Sequence, residues 1–110
     1  MAILISTNNA MSLLQKIKTG IDNGSIDTWV YDKDGDFTHT PEQWKNKAWL
    51  KPMINSGELR LGILKPRDVD LSKTIYGIYH GRFIEMLLTH FDSDFSNVYA
   101  TANKLEPDNF

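Results

Sequence analysis

The chain has 110 residues, the length of one domain, and its 41% hydrophobic content is enough for a core. Its net charge of −2 gives no general attraction to nucleic acid or anionic lipid. The absence of cysteine excludes disulfides, thiolate nucleophiles and cysteine-ligated metals.

Membrane and export segments are not predicted. No window approaches the roughly 18 consecutive apolar residues of a membrane span. The first residues, MAILISTNNAM, lack the positive start and long apolar core of a signal peptide. We therefore expect a soluble, cytoplasmic protein with no membrane partner.

The first part of the chain predicts a strand and a helix. The apolar run at residues 2–5 predicts the strand. Ser6 or Thr7 then caps a helix that Asn23-Gly24 ends. Apolar residues recur along that helix at helical spacing, at Ala10, Leu14, Ile17 and Ile21.

The stretch YDKDGDFTH, at residues 31–39, predicts the turn of a β-hairpin. A three-residue loop, Lys33-Asp34-Gly35, suits a type I turn followed by a left-handed glycine. This register places Tyr31 opposite Phe37 and Trp29 opposite His39, so that all four side chains share one face of the sheet.

The same stretch carries alternate aspartates, Asp32, Asp34 and Asp36, which resemble the start of a calcium loop. Phe37 stands where such a loop needs glycine, and Gln43 stands where it needs a bidentate glutamate. We therefore predict a turn with, at most, low-affinity binding of a divalent ion at the three aspartates, and no cofactor.

A second helix is predicted after the hairpin. Thr40 is a helix cap, Pro41 suits the first helical position and Gln43 completes a capping box. The helix should end near Trp49, because Pro52 opposes its extension. Alternating apolar residues then predict a strand at residues 58–64.

The longest predicted element is a third helix, residues 73–91, which Ser72 caps. Its apolar stripe contains Ile75, Tyr79, Phe83, Met86 and His90. Because most of its circumference is apolar, we expect this helix to be central and mostly buried. Gly77 and Gly81 could allow another element to approach its backbone. A competing interpretation makes residues 74–79 a strand and starts the helix near Gly81.

A short strand at residues 96–101 and a frayed tail at 103–110 complete the chain. The predicted order is β-α-β-β-α-β-α-β. It indicates a single α+β domain, residues 1–110, with about five short strands in a largely antiparallel sheet packed against the long third helix.

Few residues of the chain match known catalytic motifs. The sequence leaves open whether the protein is an enzyme and favours a non-catalytic role. No phosphate-binding glycine loop or serine nucleophile elbow is present. His80, His90 and Asp92 are the candidates for acid–base or metal-dependent chemistry. A zinc site would require His39, His80 and His90 to converge.

Aromatic residues are the strongest signal for binding. The candidates are Trp44, Trp49, Tyr76 and Tyr79. The leading hypothesis is therefore a non-catalytic protein-binding or regulatory module, which binds another protein or itself as a homodimer. A further alternative is single-stranded nucleic-acid binding, in which Trp44 and Trp49 stack on bases between positive side chains. Those side chains are Lys45, Lys47 and Lys51.

Overall fold

The computed structural model describes residues 1–110, which form six strands and two helices. The elements are β1 (Ile3–Ser6), α1 (Ala10–Asp22), β2 (Trp29–Tyr31), β3 (Phe37–His39), β4 (Trp49–Asn55), β5 (Glu58–Leu64), α2 (Lys73–Phe91) and β6 (Asn97–Ala100). The predicted single α+β domain with an antiparallel sheet is confirmed. The predicted count of five strands and three helices is wrong.

All six strands belong to one sheet, in the order β2-β3-β4-β5-β1-β6. Every neighbouring pair is antiparallel. Strands β2 to β5 follow one another as a meander, whereas β1 lies between β5 and β6. The two edges of the sheet are therefore β2 and β6.

Both helices pack on the same face of this sheet. Along β5, Leu59, Leu61 and Ile63 are fully buried, as the alternation of a strand with one covered face requires. They join one hydrophobic cluster that contains α1 residues and α2 residues, including Ile17 and Phe83. The result is a two-layer fold with its core between the sheet and the helices.

The predicted helix near residues 40–49 is absent. Trp44 and Lys45 donate backbone hydrogen bonds to Pro41, which makes one turn, and Asn46 then adopts a left-handed φ of 58° that ends it. The chain continues into β4, which contains Pro52. Proline is tolerated there because β3 pairs with β4 only at Leu50, so Pro52 has no neighbour on that side.

Helix α2 has the predicted bounds, and the Ser72 side chain caps it by accepting a hydrogen bond from Ile75 N–H. The competing interpretation, a strand at residues 74–79, is therefore wrong. Helix α2 is the second helix, and only one face of it is covered. Its buried residues are Tyr79, His80, Phe83, Met86 and Leu87. A two-layer fold leaves the opposite face of a surface helix open. Apart from the backbone of α2 itself and the adjacent residues, no atom lies within 4 Å of a methyl group placed on Gly77 or Gly81. The expectation of a mostly buried helix is therefore wrong.

Residues 103–110, for which a frayed tail is predicted, lie against β5. The Asp108 carboxylate accepts a hydrogen bond from Ile63 N–H at 2.7 Å. Asn109 bonds to the backbone of both Ile63 and Lys65, as a short parallel extension of the sheet. This segment occupies the part of β5 that extends beyond the start of β1, where backbone groups of β5 would otherwise lack partners.

Candidate functional site

The β2–β3 hairpin has the predicted register, with Trp29 opposite His39 and Tyr31 opposite Phe37. Its turn has Gly35 at a φ of +84°, as the predicted loop requires. The shared aromatic face is covered by α2, since the ring of Phe83 lies edge-on to Trp29 at 5.0 Å. This face is therefore part of the protein's own core.

His39 is buried in that face and stacks on the Trp29 ring at 4.5 Å. Its Nδ1 lies 2.7 Å from the carbonyl oxygen of Thr28, whereas its buried Nε2 has no hydrogen-bond partner. Burial lowers the pKa of His39, against the opposing effect of the Thr28 carbonyl. The neutral ring therefore donates through Nδ1 and carries a lone pair on Nε2.

The three histidines do not converge on one site. His39 and His90 line a recess of about 140 Å³, together with Arg82 and Glu85. His80 and His90 are ten residues apart on one helix, a rise of about 15 Å.

His80 is buried, and its two ring nitrogens face the backbone carbonyls of Tyr76 and Met1. Burial lowers the pKa of His80, and this effect outweighs the opposite effect of the two carbonyl groups, which raise it. Asp92 is exposed at the end of α2, beside His90 in sequence. The structure therefore places His80 apart from both other catalytic candidates.

The predicted aromatic anchors are mostly covered. Tyr79 is fully buried, and its hydroxyl lies 3.0 Å from Thr38 Oγ1. Trp44 and Tyr76 are half-buried and pack against the core, and Trp49 is half-buried.

The neighbouring lysines are exposed. They are Lys45, Lys47 and Lys51. Lys45 and Lys47 lie on the turn before β4, and Lys51 lies on β4 itself.

The three aspartates of the hairpin turn, which we call the aspartate turn, do come together. One carboxylate oxygen from each of Asp32, Asp34 and Asp36 lies within 4.8 Å of the other two. Asp32 and Asp34 are exposed, whereas Asp36 is only 7% exposed. Burial raises the pKa of Asp36, and the nearby Lys51 ammonium partly offsets that effect.

A feature that sequence reasoning missed is the free edge of the sheet at β6, which we call the β6 edge. Residues Asn97–Ala100 contain no charged side chain, and Tyr99 is 53% exposed. The sequence marks this segment as a strand, but nothing in it says that the strand is outermost. That position follows from long-range pairing with β1.

Two larger depressions, of about 410 and 500 Å³, lie beside α1. Serine, threonine and asparagine account for most of the polar lining of the first, which also contains Asp94. Lys16 borders the second depression and is paired with Asp94 at 2.6 Å. Neither depression assembles an acid–base pair with a free nucleophile.

No helix in the structure is both long and apolar enough to cross a membrane. No family model, curated protein or solved structure matches the chain.

Proposed function

We propose that this protein is a non-catalytic module that binds another protein chain by strand pairing at the β6 edge, with a second copy of itself as the first partner. The observation that carries the proposal is the uncharged, uncovered edge of the sheet at Asn97–Ala100. Exposed strand edges bind chains through backbone hydrogen bonds, with side chains adding specificity.

The backbone orientation at this edge supports pairing. Thr101 N–H donates to the carbonyl oxygen of Ala2 at 2.9 Å. In an antiparallel pair, residues whose N–H and C=O groups face the neighbouring strand alternate with residues whose groups face away from it. The N–H and C=O groups of Val98 and Ala100 therefore face away from β1.

Natural proteins protect such edges with lysine, proline or a bulge, and β6 contains no lysine or proline. The opposite edge differs, because the β2 strand runs directly into the charged residues Asp32 and Lys33. β6 is therefore the less protected of the two edges.

Two further observations favour binding over catalysis. The separation of His80 from His90 and Asp92 supports a non-catalytic role. Tyr99 supplies an exposed aromatic side chain next to the free backbone groups, and tyrosine is a frequent anchor of protein interfaces. Two copies paired through β6 would share a two-fold axis and a continuous sheet.

The change Ala100→Pro tests this proposal. It removes an outward-facing N–H and leaves the bonds between β6 and β1 in place. The matched control Ala100→Ser keeps that N–H. Sedimentation over a concentration series should give a dimer for the wild type and for Ala100→Ser, and a monomer for Ala100→Pro with an unchanged circular dichroism spectrum.

The same two variants, Ala100→Pro and Ala100→Ser, would also reveal a partner other than a second copy of the protein. Capture from host extract should then recover the same chain with the wild type and Ala100→Ser, and lose it with Ala100→Pro. A wild type that stays monomeric and recovers no chain contradicts the proposal. So does a partner that Ala100→Pro binds as well as the wild type.

A further inference from the structure

We infer that the aspartate turn binds one divalent cation of the calcium class through Asp32, Asp34 and Asp36. This inference is independent of the β6 edge, which belongs to the opposite end of the sheet. It rests on the spacing of the three carboxylates and on the burial of Asp36.

The spacing suits a single ion. Calcium binds oxygen ligands at about 2.3–2.6 Å, so two oxygens on opposite sides of one ion are about 5 Å apart. One oxygen of each aspartate lies within 4.8 Å of the others. The three oxygens are therefore close enough together to be ligands of one ion.

Asp36 gives the second, independent observation. Asp36 as a whole residue is only 7% exposed, and its buried Oδ1 has no hydrogen-bond partner. A buried carboxylate without a partner is costly, and such groups are normally paired or bound to a metal. A cation bound by the three aspartates would balance the charge of this carboxylate.

The hydrogen bonds inside the turn leave ligand atoms free. Asp32 Oδ1 accepts from the backbone N–H groups of Asp34 and Asp36, at 2.9 and 3.0 Å. These bonds hold the turn in shape and leave Asp32 Oδ2 available. The carboxylates of Asp34 and Asp36 accept no hydrogen bond in the structure.

The chemistry of the ligands selects the ion. All three ligands are carboxylate oxygens, which suit hard cations, and no nitrogen or sulfur ligand is present in the cluster. Asp32 and Asp34 are exposed, so water can complete the six to eight ligands that calcium takes. Magnesium demands a more regular octahedron than one short turn supplies.

Positive charges nearby limit the affinity. Lys51 acts on Asp36, and the Lys18 ammonium lies 3.4 Å from the methyl position of Gly35 in the same turn. With three ligands and two opposing lysines, we expect a dissociation constant on the order of 10⁻⁴–10⁻³ M, the range of extracellular calcium modules.

Titration calorimetry and thermal unfolding with calcium chloride test the inference. The wild type should bind one ion with saturation, and its unfolding temperature should rise with calcium and return with a chelator. Asp36→Asn should bind at least about tenfold more weakly, because it removes the buried charged ligand. Asp70→Asn, which removes one exposed carboxylate outside the turn, should bind like the wild type.

Two further variants keep the inference falsifiable if Asp36→Asn fails to fold. Asp34→Asn changes an exposed ligand and should also weaken binding. Lys51→Met should strengthen it, by removal of a competing charge. No saturable binding up to about 10 mM calcium, above the expected range, overturns the inference. So does an effect that sodium chloride of equal ionic strength reproduces, or equal binding by the wild type and Asp36→Asn.

Discussion

His39 shows how one buried side chain links the core of this protein to pH. Its ring packs on Trp29 and its Nδ1 bonds Thr28, so it belongs to the hydrophobic layer. Arg82 and Glu85 from α2 also face it, with opposite effects on its charge. Sequence reasoning placed His39 on the aromatic face correctly, but burial of an unpartnered nitrogen is visible only in three dimensions.

The lowered pKa of His39 predicts acid sensitivity. In the unfolded chain His39 binds a proton near its ordinary pKa of 6.5, whereas the folded protein does not. The unfolded state therefore takes up more protons below about pH 6.5, and the free energy of unfolding falls as the pH falls. His80, whose pKa is also lowered, contributes in the same direction.

Denaturant unfolding between about pH 7 and 5 measures this effect. His39→Gln should reduce the dependence of stability on pH, since one of the two buried histidines is gone. His90→Gln, at an exposed position, is the control. A dependence that His39→Gln leaves unchanged contradicts the prediction.

At the scale of elements, the accuracy of the sequence predictions follows from how local each signal is. The hairpin was predicted down to its register because its loop length and alternation are set within about ten residues. The prediction of a helix at residues 40–49 is wrong because its helix-start signals, Thr40, Pro41 and Gln43, are confined to the first four residues. Pairing of β4 with β5 along its whole length overrides that local preference.

Glycine substitutions in two elements should have opposite effects. Gly77 lies in α2 with open space around it, so Gly77→Ala should stabilise the protein by about 0.5–1 kcal/mol through helix propensity. A methyl group on Gly62 in β5 would lie 2.5 Å from the backbone nitrogen of Asp108. Gly62→Ala should therefore cost about 1–3 kcal/mol, as overpacking does.

Chemical denaturation of both variants decides this prediction, and the two changes are chemically identical, so each serves as the control for the other. Hydrogen exchange should also rise at residues 105–109 in Gly62→Ala. Equal stability changes in the two variants would show that the contact between β5 and Asp108 is not rigid.

At the scale of the whole molecule, the sequence predicted the class and missed the arrangement. Which strand is outermost, and where residues 103–110 lie, depend on pairings between distant parts of the chain that no local pattern encodes. The aspartate turn is similar, because the sequence shows its three aspartates but not the burial of Asp36. The β6 edge was missed for the same reason.

Asp108 joins the end of the chain to the centre of the sheet. Its two carboxylate oxygens accept from Ile63 and Leu105 N–H groups, at 2.7 and 2.8 Å. Asp108→Ala leaves the buried Ile63 N–H without its partner and should cost about 1–3 kcal/mol. Asp94→Ala, which removes a surface ion pair with Lys16, should cost less than about 1 kcal/mol in the same unfolding experiment. Equal losses in both variants would contradict this role of Asp108.

The position of β1 between β5 and β6 has a consequence for how the chain reaches this structure. Strands β2 to β5 pair with neighbours in sequence, so their loops close at low entropic cost. Ile3, by contrast, pairs with Leu61 on one side and Ala100 on the other. During synthesis, β1 has no hydrogen-bonded neighbour until β5 has left the ribosome. Both neighbours of β1 follow it in the sequence, so β1 can be enclosed on both sides only after β6 has been made.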